Sequence, residues 1–357
     1  MSKLISRTKT AANEVRDSIV EPVDSPKVIP FEGNFGLMTS TGSTLLDLAI
    51  SGGRVHGGGI PAGILIEIYG PSGKGKTALL SEIVASVQAN DGDAMMLDPE
   101  ARIDQEYARI YGVELAKKNY KMPDTVTEVF EYINDWKPKP EGAVHCIATD
   151  SLAALSTNME LSVKGDKRGQ RRAKEFSEGF RKTCRMIKKN NWLIPCTNQV
   201  RQGEYGEVTP GGKAIEFYSS LRIRIGSPPY QGAIQPYIVK TGKLKVNADT
   251  KIEVSGTTGI RSLCVITKSS IDNPYREAPI YIVFGYGIDD ISANLQYVKN
   301  MTGANRYNCI NKEYQSIEKA FHHIEENDFE EELRERVIEI WGKVQAVLKV
   351  DRKPKKR

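Results

Sequence analysis

One run of residues carries a pattern with direct chemical meaning, because it fits GxxxxGK[ST]. Glycines let backbone N–H groups wrap a phosphate, and a helix that starts there adds the positive end of its dipole. The lysine at this spacing reaches the β- and γ-phosphates, and the hydroxyl that follows binds Mg²⁺. We therefore predict a site for ATP and Mg²⁺ formed by Gly70, Pro71, Ser72, Gly73, Lys74, Gly75, Lys76, Thr77 and Ala78.

A second magnesium anchor is expected at the end of a neighbouring strand. The apolar run 144–149 ends at Asp150, and a carboxylate at the end of a buried strand is suited to hold a metal-bound water. A helix N-cap would explain Asp150 alone equally well. Together with the phosphate loop, Asp150 is predicted to bind Mg²⁺ with Thr77.

Hydrolysis also requires a group that activates water. Residues 94–97 form another short apolar run, followed by Asp98-Pro99-Glu100. This order places a carboxylate beside the γ-phosphate. Glu100 is the predicted general base, and Asp98 is the alternative.

The elements that must position these residues alternate between strand and helix. Buried strands are predicted at 64–69, 94–97, 144–149 and 192–197, with helices at 78–88 and 174–188 between them, which favours an α/β fold with a mainly parallel sheet. The strand before the phosphate loop and the helix after it argue against a glycine-rich turn with an incidental lysine. Antiparallel strands that extend the sheet are predicted at 221–225, 237–239, 244–246, 263–268 and 280–284. The segment 313–348 is predicted to be helical.

Composition limits the class of protein. The 357 residues are 39% hydrophobic and 27% charged, as in an ordinary globular protein, and carry a net charge of +5. No run approaches the roughly 20 apolar residues that a membrane span requires, so no membrane partner is expected. The five cysteines form no CxxC pair, which argues against a zinc site and favours a reduced, cytoplasmic location.

The positive charge is concentrated rather than spread. Between residues 164 and 189 there are 11 Lys/Arg against 3 Asp/Glu, and the last seven residues carry five more basic groups. Such runs indicate either a solvated helix face or a binding site for a polyanion.

The termini are predicted to differ from the central part. Residues 2–19 have the apolar spacing of one amphipathic helix, and prolines then mark an extended stretch. Because so little of this segment is apolar, residues 1–35 are predicted to be an oligomerisation arm. Residues 36–290 form the predicted α/β core that holds the ATP site, and residues 291–357 a small α-rich domain with a basic tail.

At several blocks the sequence resembles the bacterial RecA recombinase family, over roughly residues 37 to 290. The blocks are Thr39-Ser40-Thr41-Gly42-Ser43, the phosphate loop, residues 98–104 with Tyr107, residues 150–155, and the segments 197–201 and 209–222. The resemblance implies that Glu100 activates water and that Asp104 and Tyr107 flank the adenine. It also implies that Gln199 senses the γ-phosphate and that Lys268 serves a neighbouring subunit's phosphate.

The resemblance also implies two DNA-binding loops. The basic run stands where the family has its first loop, and residues 201–213, predicted to be a loop after a strand end, correspond to the second. The residues that this assigns to DNA are Lys167, Arg168, Arg171, Arg172, Lys174, Arg181, Arg201, Gly211, Gly212 and Lys213. Contacts from such residues to phosphates are independent of base sequence.

Some positions depart from the family. Gly169 or Gln170 stands where a bulky wedge residue is usual, and Ser270 replaces the second of two trans-acting lysines. The second loop is shorter than usual, residues 228–261 are longer, and the tail is basic instead of acidic. These differences suggest a divergent member, in a bacterial cell or a phage-infected host.

The leading functional prediction is therefore a DNA-dependent ATPase that forms filaments on single-stranded DNA and exchanges strands with homologous double-stranded DNA, in recombination and repair. Two alternatives are a ring-forming motor with the same core fold and a regulator that binds ATP and DNA without exchanging strands.

Overall fold

A computed structural model provides the structure of the protein. It describes the backbone of residues 35–140, 142–158, 168–203, 206–227, 237–245 and 251–353, with side chains described for these residues except 168–170. Residues 1–34 of the predicted arm, Lys167 and residues 354–357 of the basic tail lie outside the described residues.

The centre of the fold is a ten-stranded sheet with a parallel part and an antiparallel part. Parallel neighbours run in the spatial order β10-β3-β7-β6-β4-β5. These strands are β3 (Ile64–Gly70), β4 (Ala94–Leu97), β5 (Tyr120–Lys121), β6 (His145–Thr149), β7 (Trp192–Gln199) and β10 (Leu221–Gly226). Short, almost wholly apolar strands suit this position, because both faces of a parallel sheet are covered.

Antiparallel strands extend the sheet beyond β10. They are β11 (Tyr237–Lys245), β12 (Lys251–Ser269), β13 (Glu277–Val283) and β14 (Gly287–Ile288). Three small pairs complete the described strands: β1 (Met38–Thr39) with β2 (Ile60–Pro61), β8 (Arg201–Gly203) with β9 (Gly206–Val208), and β15 (Tyr307–Asn308) with β16 (Glu313–Tyr314). The predicted fold class is thus confirmed.

Helices cover both faces of the sheet. They are α1 (Thr44–Ser51), α2 (Lys76–Ala89), α3 (Gln105–Ile110), α4 (Val126–Asp135), α5 (Arg168–Lys189), α6 (Gly212–Tyr218), α7 (Asp290–Thr302), α8 (Ile317–Glu326) and α9 (Glu330–Leu348). Among the described residues, no helix combines the length and the apolar composition that a membrane crossing requires.

Alternation along the strands creates two cores. Successive side chains of a strand point to opposite faces, so Ile66 and Ile68 pack into one core and Leu65 into the other. The first core includes apolar residues of α2, α7 and α9, and the second those of α4 and α5. Full burial of such a side chain contributes about 1.5–3 kcal/mol, so the sheet is held firmly between its helices.

Four local predictions need correction. The strands predicted at 237–239 and 244–246 are one strand, β11, because Gly242 lies within a continuous ladder with β12. Residues 201–213 are not a plain loop, since they contain the β8–β9 hairpin and the start of α6. The first basic segment is already helical from Arg168. The helical segment predicted at 313–348 begins only at Ile317, because Glu313 and Tyr314 pair with β15.

Candidate functional site

The phosphate loop lies between the end of β3 and the start of α2. Gly75 caps the helix in the left-handed conformation, and a Cβ atom there would collide with the Ile282 side chain. A Cβ atom on Gly70 would collide with the Ile225 carbonyl oxygen. These close approaches require glycine. Because α2 starts directly after the loop, the backbone N–H groups of its first turn lie at the edge of the sheet, where an anion binds favourably.

Lys76 lies in the first turn of α2. Its ammonium donates hydrogen bonds to the carbonyl oxygens of Gly70 (3.0 Å) and Pro71 (2.8 Å), which holds it against the loop. Burial lowers the pKa of Lys76, while the charges of Asp150 and Glu100 act in the opposite direction. A partly buried ammonium at this place is suited to pair with phosphate oxygens.

Asp150 follows β6 and joins two hydroxyl groups. Its Oδ2 accepts a hydrogen bond from Thr77 Oγ1 at 2.6 Å, and its Oδ1 accepts one from Thr197 Oγ1. Burial raises the pKa of Asp150, and these two hydrogen bonds act against that shift. Ser151, and not Asp150, occupies the N-cap position of the adjacent short 3₁₀ helix, Leu152–Ala154, so a helix cap does not explain Asp150.

Glu100 lies beside this pair and is tied to the end of β7. Its Oε1 accepts hydrogen bonds from Ser151 Oγ (2.7 Å) and from Gln199 Nε2 (3.3 Å). Its Oε2 forms an ion pair with Arg102 at 2.6 Å. Glu100 therefore contacts directly the residue that begins the connection to the β8–β9 hairpin.

Asp98, the alternative base, is fully buried. Its Oδ2 accepts hydrogen bonds from the backbone N–H groups of Arg102 and Ile103 and from the Tyr120 hydroxyl, each at 2.8 Å. This oxygen therefore shapes the turn after β4. The geometry favours Glu100, whose carboxylate is only partly buried, as the group that meets a reactant.

Asp104 and Tyr107 lie at the start of α3. Asp104 is its N-cap and accepts a hydrogen bond from the Tyr107 backbone N–H at 2.7 Å, while the Tyr107 hydroxyl donates to the Tyr111 hydroxyl at 3.3 Å. Burial raises the pKa of Tyr107, so its hydroxyl stays neutral. Their predicted contact with adenine stays a prediction.

The buried side-chain amide of Asn198 lies beside the hairpin segment, which we define as residues 201–213. Asn198 Nδ2 donates hydrogen bonds to Glu67 Oε1 (2.9 Å) and to the Pro210 carbonyl oxygen (3.0 Å), and Asn198 Oδ1 accepts from the Gln199 N–H. Glu67 is fully buried and forms an ion pair with Arg222 at 2.6 Å. One side chain thus holds Gln199, just before the hairpin segment, and Pro210, near the other end of that segment.

Lys268 lies on β12 and contacts the end of α6, the helix that follows the hairpin segment. Its ammonium donates to the carbonyl oxygens of Glu216 (2.6 Å) and Phe217 (2.9 Å) in the last turn of α6, where a cation is favourable. Burial lowers the pKa of Lys268. Ser270 donates to the Ser220 carbonyl oxygen at 3.3 Å, so it contacts the residues that connect α6 to β10.

The residues assigned to DNA lie on two surfaces. Arg171, Lys174 and Arg181 are exposed on α5, whereas Arg172 is half-buried and donates to the Ala153 carbonyl oxygen at 3.5 Å. Arg201 is exposed on the hairpin, which is tied to β10 by two hydrogen bonds from Arg224 to Glu207, at 2.8 and 2.9 Å. Gly211, Gly212 and Lys213 form the start of α6.

Sequence reasoning missed several partners. Thr197, Ser151 and Arg102 orient the two candidate carboxylates, and Asn198 connects the end of β7 to Pro210 in the hairpin segment. Sequence reasoning also missed the role of Glu67. Its position gave the signal, since a single carboxylate inside an apolar strand requires a buried partner.

Together these features define a class of α/β protein with a GxxxxGK[ST] loop at the carboxyl edge of a mainly parallel sheet. Residues 36–289 match the family described as the RecA N-terminal domain. Protein RecA of Thermus thermophilus is 34% identical over 258 residues, which are 71% of this chain and 68% of that protein. Protein RecA of Delftia acidovorans is 32% identical over 257 residues, covering 70% and 63%. The chain therefore belongs to the RecA family.

Proposed function

We propose that this chain is a DNA-dependent ATPase that polymerises on single-stranded DNA and exchanges it with a homologous duplex, in recombination and repair. The observation that carries the proposal is the hydrogen bond between Glu100 and Gln199. It joins the candidate general base to the strand end from which the hairpin segment starts. A change at the nucleotide thus has a direct route to a candidate DNA-binding segment.

The donors present fit ATP with Mg²⁺. A loop that only glycine permits surrounds the position for phosphates, and the paired Thr77 hydroxyl and Asp150 carboxylate match the few protein oxygens that Mg²⁺ takes beside phosphate. When bound, the ion neutralises charge on the phosphates. Lys76 is proposed to pair with the β- and γ-oxygens, and Asp104 and Tyr107 to flank the base.

Glu100 is proposed to accept the proton of the attacking water. Ser151 and Gln199 hold its Oε1, and Arg102 holds its Oε2, so the carboxylate is oriented before substrate arrives. Orientation of this kind contributes to catalysis because the base need not be ordered during the reaction.

DNA contacts are proposed for the exposed basic side of α5 and for Arg201, Gly211, Gly212 and Lys213 of the hairpin segment. Lys167 and Arg168, which come just before Arg171 in the sequence, are also proposed to contact DNA. Lys268 is proposed to reach a neighbouring subunit's nucleotide in the filament, in exchange for its present bonds to the end of α6. The location proposed is the cytoplasm of a bacterial cell or an infected host.

Filament growth is proposed to need residues 1–35. Deletion of this segment should give a soluble monomer that still binds ATP and hydrolyses it slowly, because Lys268 then serves no neighbour. Electron microscopy with ATP and single-stranded DNA checks this. Helical filaments formed by the deletion variant would contradict the arm, and closed rings formed by the full chain would favour the ring-forming motor.

The central test is Gln199→Ala, with Gln202→Ala on the exposed face of the hairpin as the matched control. We expect Gln199→Ala to bind ATP normally but to lose stimulation of hydrolysis by DNA and to lose strand exchange. The control should keep both. Normal strand exchange by Gln199→Ala would contradict the proposed coupling. Wild-type protein that binds ATP and DNA without exchange would favour the regulator.

A further inference from the structure

Strands β11 and β12 continue beyond the body of the sheet as a two-stranded ribbon. We define the basic ribbon as residues 239–245 paired with residues 251–257, all of which are exposed. Its side chains belong to neither core, and its apolar members Val239, Leu244, Ile252 and Val254 are 46–58% exposed. A segment that costs backbone entropy and adds nothing to the cores requires another explanation.

The two faces of the basic ribbon are chemically different. The cross-strand register places Lys245 opposite Lys251, Lys243 opposite Glu253, and Thr241 opposite Ser255 on one face. The other face carries Leu244 opposite Ile252, Gly242 opposite Val254, and Lys240 opposite Gly256, and the Lys240 ammonium pairs with Glu318 at 3.8 Å. The first face is therefore polar from Thr241 to Lys245 and carries three lysines and one glutamate.

Lys245 and Lys251, the last described pair of the ribbon, repel each other. Like charges directly opposite each other destabilise an antiparallel pair, whereas Lys243 lies opposite Glu253, so three lysines and one glutamate leave a net charge of +2 on this face. Lys243 and Lys245 are two residues apart, about 7 Å along the strand, which equals about two phosphate steps of axial rise along one DNA strand. An anionic polymer would relieve this repulsion and accept hydrogen bonds from the hydroxyls.

We propose that the polar face of the basic ribbon binds the phosphate backbone of a nucleic acid, at a site separate from α5 and the hairpin segment. The same strand touches the nucleotide loop, because Ser262 Oγ donates to the Lys74 carbonyl oxygen at 2.9 Å. From Ser262 to Lys251 the strand rises about 37 Å, so the lysines lie far from the phosphate loop. The proposal rests on the proposed function only in taking DNA as the polyanion.

The test uses the full chain with Lys243→Ala, Lys245→Ala and Lys251→Ala combined. Binding of a labelled duplex is measured by fluorescence anisotropy at several salt concentrations. Each phosphate contact contributes about 0.9 to the log–log salt slope, so three contacts should make it shallower by about 2.7 and weaken binding on the order of 10²-fold at 0.1 M salt. The matched control replaces the same lysines with arginine and should restore both quantities.

Two further measurements show which DNA the ribbon binds, the first single strand or a second duplex. If the ribbon takes a second DNA, the alanine variant keeps its affinity for single strands and loses capture of a duplex by the preformed single-strand complex. If it takes the first strand, both fall. ATP affinity and DNA-free hydrolysis should stay unchanged, which also reports correct folding.

Variants on the apolar face of the ribbon test whether that face, and not the polar one, is the binding surface. Leu244→Ser with Ile252→Ser should leave DNA binding unchanged if the polar face is the site. Loss of self-assembly and DNA binding in this variant, with unchanged binding in the alanine variant, would make the ribbon a contact between copies and overturn the proposal. An unchanged slope and affinity in the alanine variant would overturn it directly. Neither outcome depends on strand exchange, whose absence would instead contradict the proposed function.

Discussion

The carboxyl edge of the sheet and the basic surfaces hold their charged side chains in different ways. At the edge, Lys76, Glu100 and Asp150 are partly buried and each is fixed by at least two contacts. On the basic surfaces, Arg171 and Lys243 are exposed to solvent. Transfer of a phosphoryl group requires atoms placed to within a fraction of an ångström, whereas a polyanion requires charge density. We therefore expect single-atom changes to matter at the edge and the number of charges to matter on the basic surfaces.

The largest effect is expected from Glu100→Gln, which removes one negative charge and keeps the shape. ATP hydrolysis should fall by about 10²- to 10⁴-fold while ATP still binds, so the variant should stay on DNA. Steady-state and single-turnover hydrolysis check this. Asp98→Asn is the comparison, and it should lower stability through the turn after β4. Wild-type hydrolysis by Glu100→Gln, with slow hydrolysis by Asp98→Asn, would exchange their proposed roles.

A second test at the same edge is Lys76→Ala. Removal of a partly buried cation from a phosphate site costs about 2–5 kcal/mol, so ATP affinity should fall by about 30- to 4,000-fold and strand exchange should stop. Lys74→Ala, in the same loop, is the matched control and should change affinity little, because Lys74 is proposed to serve the phosphates through its backbone only. Titration with a fluorescent ATP analogue measures both. Normal affinity of Lys76→Ala would show that the loop does not hold nucleotide in the proposed way.

Asn198→Ala tests the connection between the two regions. It removes the amide that bonds Glu67, Gln199 and Pro210, so stability should fall by about 1–3 kcal/mol because a buried acceptor loses its donor. The ratio of DNA-stimulated to basal hydrolysis should fall by about tenfold, with ATP affinity kept. Gln202→Ala is the exposed control. A loss of stability with an unchanged ratio would make Asn198 purely structural.

The same contrast explains what the sequence could predict. Apolar runs that end at Leu97 and Thr149 locate Glu100 and Asp150, because strand ends at one sheet edge converge. The Ser151–Glu100 bond joins residues 51 apart and depends on side-chain directions that no local pattern encodes. The sequence predicts two strands where the structure has the single strand β11. Gly242 lies between them, and glycine weakens strand patterns, although the ladder with β12 continues through it.

The smallest effect is expected on the basic side of α5, from Arg171→Ala combined with Arg172→Ala. Single-strand affinity should fall for all base sequences alike, and the log–log salt slope should become shallower by roughly 1 to 1.5, since each phosphate contributes about 0.7. Arg171 is exposed and should supply its full share. Arg172 bonds the Ala153 carbonyl oxygen, so Arg172→Ala alone should also lower stability, and the two single variants separate these effects. ATP binding without DNA should not change, because neither side chain belongs to the phosphate loop. An unchanged slope and affinity would mean that this face of α5 is merely solvated and would move the first DNA site to the segment from Arg201 to Lys213.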